Sequence, residues 1–306
     1  MYAIVIHGGA GTLRADLQDS CLHGVHQAAD AGLKILQHGG PALEAVTAAV
    51  VSLEDDPAFN AGTGAVLNLE GEAEMDAGVM IGKDLYSGNV ACVRRVKNPI
   101  LLARKVMEET DHVLLAGSGA ERFARAMGFA DYDPVTARRR AEWQSKRAAL
   151  LENKHTSLHD LLERYPGLSR GTVGAVALDV HGDLAAATST GGVALKLPGR
   201  IGDSAVPGAG NYATPLAAAS ATGQGELMLR YLTTKAVCDE IAAGSSAQAA
   251  VDKVLARMVA ELGANVGIIA LDAHGNIGIG HATPAMTHAY ATQTQPQVVA
   301  GLRVQT

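Results

Sequence analysis

Short apolar runs stopped by glycine alternate with longer stretches whose apolar positions recur at helical spacing. Residues 2–6, YAIVI, form a β-rich run halted by glycines and predict a buried strand. Residues 16–37 carry helix-spaced apolar positions and stop at Gly39-Gly40. Pro41 sits where a first helical turn begins, and a second helix is expected over 42–53. The glycine-rich loop FNAGTGAV follows. Residues 65–69 and 72–81 bracket Glu70-Gly71 and predict a hairpin. Strands are expected over 90–96 and 113–116, and helices over 100–108 and 120–127.

The texture changes at 131–170, which is polar, carries Arg138-Arg139-Arg140 and has few β-branched residues. It reads as a linker able to hold one exposed helix, with nothing resembling core. Strands resume at 173–180 and 184–190 around the turn His181-Gly182-Asp183, and at 266–271 and 277–280 around DAHGN. Between them, 226–243 and 247–262 predict two amphipathic helices. Strands beside helices in both halves, with many hairpins, make this an α+β chain of mixed or antiparallel sheets covered by helices.

Composition narrows the classes. Among 306 residues, 48% are hydrophobic and 18% charged, which suits a globular protein and excludes a disordered one. A net charge of −6 argues against a nucleic-acid partner. Cys21, Cys92 and Cys238 are too scattered for a disulfide framework or a zinc site, and His23 and His26 lack a third ligand. No basic leader with an apolar run opens the chain, and no run nears the ~18 residues of a membrane span. The expectation is a soluble cytoplasmic protein with no organic cofactor.

Thr172 draws the chemistry. It follows Gly171 at the end of the linker and heads the strand TVGAVALD. A threonine hydroxyl needs a base. Cleavage of the bond before it would supply one, because the freed α-amine has a pKa of roughly 8. A preceding glycine lets the scissile peptide adopt the strained geometry of an N→O acyl shift. Gly-Thr alone, however, is also an ordinary strand start.

The wider motif set goes further. HGGAG, LEDDPAFNAGTGAVLN, GTVGAVALD, AAATSTGGVALKLPGRIGDSAVPGAG and TGQGE, in that order, resemble the plant-type L-asparaginase/isoaspartyl peptidase family over nearly the whole chain outside 131–170. The resemblance implies a four-layer αββα sandwich of the N-terminal-nucleophile hydrolase type. It also implies self-cleavage at Gly171–Thr172, giving an α subunit, 1–171, and a β subunit, 172–306, assembled as a dimer of αβ units. Carried over by motif, Thr172 is the nucleophile and Thr190 orients it. Thr222 and Gly223 form the oxyanion hole, and Asn60 steadies the tetrahedral intermediate. Arg200 and Asp203 hold the substrate's α-carboxylate and α-amino group, as a guanidinium and a carboxylate can. Gly223 and Gly225 let backbone approach substrate. The resemblance further implies a sodium ion held by the main-chain carbonyls of Leu53, Glu54, Asp56, Phe59, Ala61 and Thr63, and hard cations do take oxygen ligands. The substrates expected are L-asparagine and β-aspartyl peptides.

HGGAG is not a phosphate loop, since no Gly-Lys-Ser/Thr follows, and the esterase reading lacks a G-x-S-x-G elbow. In the amidohydrolase reading its glycines pack the first strand under the active site. The sequence departs from the family pattern at LGANVGIIALD and HATPAMTH, both near the pocket in relatives. Two rivals stand beside this reading. A glycosylasparaginase would tend to carry Asp where Gly171 stands, and an unprocessed, non-catalytic aspartate-binding relative would keep the bond whole.

Overall fold

The glycine-stopped run at the N-terminus becomes β1 (Ala3–Gly11), a strand longer than its apolar core predicts. The computed structural model describes residues 1–152 and 171–302. Strands β2 (Met75–Ile81), β3 (Ser87–Val93) and β4 (Leu114–Ala116) follow in the first half. The hairpin turns expected in the second half join β5 (Val173–Leu178) to β6 (Leu184–Thr190) and β9 (Val266–Asp272) to β10 (Ile277–His281). Strands β7 (Asn211–Ala213), β8 (Ala217–Gly223), β11 (Ala285–Thr292) and β12 (Val299–Gly301) complete the described set. One sheet runs β12-β11-β1-β5-β6-β2-β3-β4 and the other β10-β9-β8-β7. All neighbours are antiparallel except β3 and β4.

Helices α1 (Gln18–Gln37), α2 (Ala42–Asp55), α3 (Pro99–Glu109) and α4 (Gly117–Ala126) lie where helical spacing predicts them, to within a few residues. Helix α8 (Ala247–Leu262) matches its predicted bounds, because Ser246 caps it by accepting from Ala249 N and Gly263 ends it in the left-handed conformation. The helix expected over 226–243 is instead two, α6 (Gly225–Tyr231) and α7 (Thr233–Ala242), broken where Leu232 takes φ 52°.

Alternation along β1 sorts its side chains between two cores. Ile4 and Ile6 join Val25, Leu33, Val46 and Val50 of α1 and α2. Val5 faces the opposite way and packs with Val176, Ile269 and Leu271, so that β1 and β5 meet β9 of the second sheet. On that sheet's other side, Ile268 packs with Val237 of α7 and with Val251 and Val254 of α8. The fold is α+β. Among the described residues no helix is long and apolar enough to cross a membrane.

Two further expectations need correction. Residues 65–69 form no strand; Asn68 instead closes a turn, its Oδ1 accepting from Glu70 N and Glu72 N at 3.0 Å each. The segment 131–170 does contribute to packing. Its described part holds α5 (Ala137–Glu152), whose Trp143 rests on the first core and donates to Asn68 O, and whose Arg139 is buried. Residues 153–170 of the expected linker lie outside the described residues, as do 303–306.

Candidate active site

Antiparallel pairing of β5 with β6 sets Val173 opposite Ser189, which brings Thr172 beside Thr190 at the strand ends. Thr172 is buried, and its Oγ1 donates to Thr190 Oγ1 at 3.2 Å. Thr190 Oγ1 also accepts from Gly192 N at 2.9 Å and donates to the carbonyl oxygen of Gly171 at 3.0 Å. The hydroxyl nearest Thr172 Oγ1 thus touches the carbonyl of the bond before Thr172. Gly9, at φ 114°, abuts the same bond; a Cβ there would lie 3.2 Å from Gly171 Cα and 3.6 Å from Thr172 N. Of the HGGAG glycines, Gly9 thus packs against the Gly171–Thr172 bond, while a Cβ at Gly8 would meet Phe59, Thr287 and Val25.

Asn60 sits in the loop after α2 with every polar position of its amide used. Its Nδ2 donates to Gly171 O and to Gly192 O, both at 2.8 Å, and its Oδ1 accepts from Val66 N at 2.8 Å. Carbonyls only accept, so this network fixes which way the amide faces. Gly171 O is accordingly held by two donors, Asn60 and Thr190.

One small cleft brings together Gly171, Thr172, Thr190, Arg200, Asp203, Gly223 and Gly225. Asp203 is buried, its Oδ2 has no hydrogen-bond partner, and burial pushes its carboxyl up to about 7 against the opposing pull of Arg200. An unsatisfied buried acceptor of this kind is costly unless a ligand completes it. Arg200 meanwhile donates to Glu226 Oε1, from Nε at 2.9 Å and from Nη2 at 2.8 Å. Gly225 is required here, since a Cβ would come within 2.8 Å of both Arg200 Nη2 and Asp203 Oδ1.

Thr222 ends up one residue behind the cleft, fully buried on β8, where its Oγ1 accepts from Ala10 N at 3.3 Å and keeps its own proton to donate. Gly223 follows at φ 132°, with Asn265 O 2.4 Å from where a Cβ would stand. A larger cavity of about 390 Å³ lies on the far side of Gly171. Asn265 and Thr283–Ala285, from the two segments where the sequence departs from the family pattern, line it.

The loop expected to hold a cation begins where α2 ends. Leu53 and Glu54 fall among the last helical carbonyls, at the negative end of the helix dipole. Thr63 N donates to Glu54 O at 2.7 Å, folding the loop back onto the helix end, and Gly62 at φ 48° leaves the space this needs. This negative, oxygen-bearing helix end is the kind of environment a hard cation takes. Arg139 already donates to Phe59 O at 3.2 Å and to Gly64 O at 2.5 Å, and so shares the same loop. Among the described residues, no group of three or more His, Cys, Asp or Glu side chains could hold a metal ion.

Reading by motif overlooked Gly192, which accepts from Asn60 and donates to Thr190. It also overlooked His7, whose buried ring reaches the carbonyl of Thr172. Both lie inside quoted motifs, but the contacts of His7 and the one from Asn60 to Gly192 join residues more than 100 positions apart, which no local pattern signals.

A sequence model of the family described as Asparaginase matches residues 1–300. The chain is 45% identical over 308 residues to a plant-type L-asparaginase of Thermococcus kodakarensis, covering 99% of this chain and all of that one. It is 41% identical to an isoaspartyl peptidase/L-asparaginase of Xenopus laevis, with 95% and 93% of the two chains covered. An isoaspartyl peptidase of Escherichia coli is 40% identical, with 94% and 92% covered.

Proposed function

The chain belongs to the asparaginase family, and we propose that it is an autoprocessing amidohydrolase that releases L-aspartate from L-asparagine and from β-aspartyl dipeptides. The observation that carries this reading is the double grip on Gly171 O by Asn60 and Thr190, with the Thr172 hydroxyl already directed at Thr190.

In maturation, Thr172 Oγ1 attacks the carbonyl carbon of Gly171. Negative charge then develops on an oxygen that already holds two donors, each typically worth about 3 kcal/mol to such a step. Thr190 accepts the nucleophile's proton as it donates its own toward that oxygen. The proton passes from that oxygen to Thr172 N as the C–N bond breaks, leaving an ester on Thr172 Oγ1 and a free amine, and water hydrolyses the ester. The products are an α subunit, 1–171, and a β subunit, 172–306, whose first residue carries both hydroxyl and amine.

In turnover the substrate's α-carboxylate displaces Glu226 from Arg200, and its ammonium completes Asp203 Oδ2. Thr172 attacks the side-chain carbonyl, its own amine serving as base, while the oxyanion sits on the Thr222 hydroxyl and Gly223 N–H. Ammonia or an amino acid leaves, and water releases aspartate. No organic cofactor enters this scheme. Carbonyls of Leu53, Glu54, Asp56, Phe59, Ala61 and Thr63 would hold a sodium ion whose charge steadies the loop bearing Asn60.

The contacts of the three cores support a four-layer αββα arrangement of the N-terminal-nucleophile hydrolase type. A dimer of αβ units in the cytoplasm completes the reading. Aspartate release from asparagine, from β-aspartyl-leucine and from a glycosylated asparagine, assayed side by side, tests it. Turnover of the first two supports the proposal, and turnover of only the third replaces it with a glycosylasparaginase.

A further inference from the structure

A line of buried polar groups crosses the apolar layer between the two sheets directly beneath Thr172. His7, on β1, is fully buried. Its Nδ1 lies 2.9 Å from Thr172 O and its Nε2 lies 2.8 Å from Ser220 Oγ on β8. A main-chain carbonyl can only accept, so Nδ1 carries the proton and Nε2 accepts from the serine. Ser220 Oγ in turn lies 2.7 Å from Thr188 Oγ1 on β6, and with the serine proton given to Nε2 it is Thr188 that donates across this contact.

The surrounding residues make room for this arrangement. Gly174 pairs with His7 across β1 and β5, and a Cβ there would fall 2.1 Å from Ser220 Oγ and 2.4 Å from His7 Nε2. Any larger residue would wedge the histidine from the serine. Val5 and Val176, whose side chains also face between the sheets, are apolar, so the cluster is a local exception within an apolar layer. Burial also pushes the imidazole down to about 3, so it stays neutral and serves as neither acid nor base near neutral pH.

We infer that His7 is a positioning residue: its Nδ1–H anchors the Thr172 carbonyl, with Ser220 fixing the tautomer, and so aims the nucleophile at the Gly171 carbonyl. Holding the carbonyl limits rotation about the Thr172 Cα–C bond. The hydroxyl and, after cleavage, the amine of the same residue keep one orientation toward Thr190. This rests on the reading of Thr172 as nucleophile.

Two amides separate this role from general support. In His7→Asn the side-chain N–H₂ reaches the position of Nδ1 and can still donate to Thr172 O, whereas His7→Gln places its polar end near Nε2. The rate at which a fragment beginning at Thr172 appears, followed by intact mass, should stay within about 10-fold of wild type in His7→Asn and fall at least about 100-fold in His7→Gln. Matured protein should show the change in kcat, with the KM for asparagine unmoved, because Arg200 and Asp203 set KM. Equal cutting by the two variants overturns the inference. Should the His7 variants fail to melt cooperatively, Ser220→Ala reads the same anchor: slower cutting supports it and a wild-type rate overturns it. Wild type and Thr172→Ala run alongside. An uncut wild type removes the nucleophile itself, whereas equal cutting by the His7 variants in a cutting wild-type background removes only the role given to His7.

Discussion

The side-chain amide of Asn60 donates to the carbonyl oxygen of Gly171 across 2.8 Å, joining the loop after α2 to a bond 111 residues later. That carbonyl is where charge develops if Thr172 attacks it. Asn60→Ala should therefore slow cleavage by about 100-fold or more, the loss expected on removing one oxyanion donor. Fragment appearance on a denaturing gel over days reads this out, and cleavage at the wild-type rate counts against the assignment.

Gly225 leaves no room for a side chain between Arg200 and Asp203, the proposed clamp. Gly225→Ala should raise the KM for asparagine at least about 10-fold, since one displaced charge-assisted hydrogen bond is worth roughly 1.5–3 kcal/mol. Fragment formation should be unaffected, because Arg200 and Asp203 have no part in that step. Steady-state kinetics on the fully cut variant makes the check.

Asp203 supplies a pH dependence with a definite sign. Its carboxyl is raised from the ordinary 3.8 to about 7 by burial, and in the proposed clamp only the ionised form would pair with the substrate's ammonium. Hence kcat/KM should rise as pH increases through about 7, with the change carried by KM. Bound substrate favours the ionised form and moves the same limb of kcat to lower pH. For stability the neutral folded form is the favoured one: the contribution is full below 3.8 and is lost as pH rises through about 7. A KM flat from pH 5 to pH 9 would contradict this account.

A bound sodium ion should stabilise the folded chain by mass action. The melting temperature in sodium chloride should exceed that in choline chloride of equal ionic strength. Equal melting temperatures would argue that Arg139, which already spans Phe59 O and Gly64 O, suffices to hold the loop.

How much of this was legible in the chain follows from the physics of each element. Helix α8 was readable because its period, its Ser246 cap and its Gly263 stop agree. Strand β8, AAASATG, was not, because alanine, serine and glycine have weak strand preference and every residue from 217 to 222 is buried, so no alternation marks it. That strand carries Ser220 and Thr222, two of the polar groups on which the site rests. The break at Leu232 depends on a left-handed residue that no spacing announces. Thr172, Arg200 and Asp203 are proposed from the motifs around them, whereas His7, though inside HGGAG, meets partners 165 and 213 positions away. Only folding reveals such a residue.

The central claim, that Thr172 is freed by self-cleavage and then acts as nucleophile, is tested most directly by intact mass of purified wild type beside Thr172→Ala after prolonged incubation. The account predicts two fragments in wild type, the smaller beginning at Thr172, and one whole chain in the variant. A wild type that stays whole, or a variant that is cut at the same bond, would contradict it.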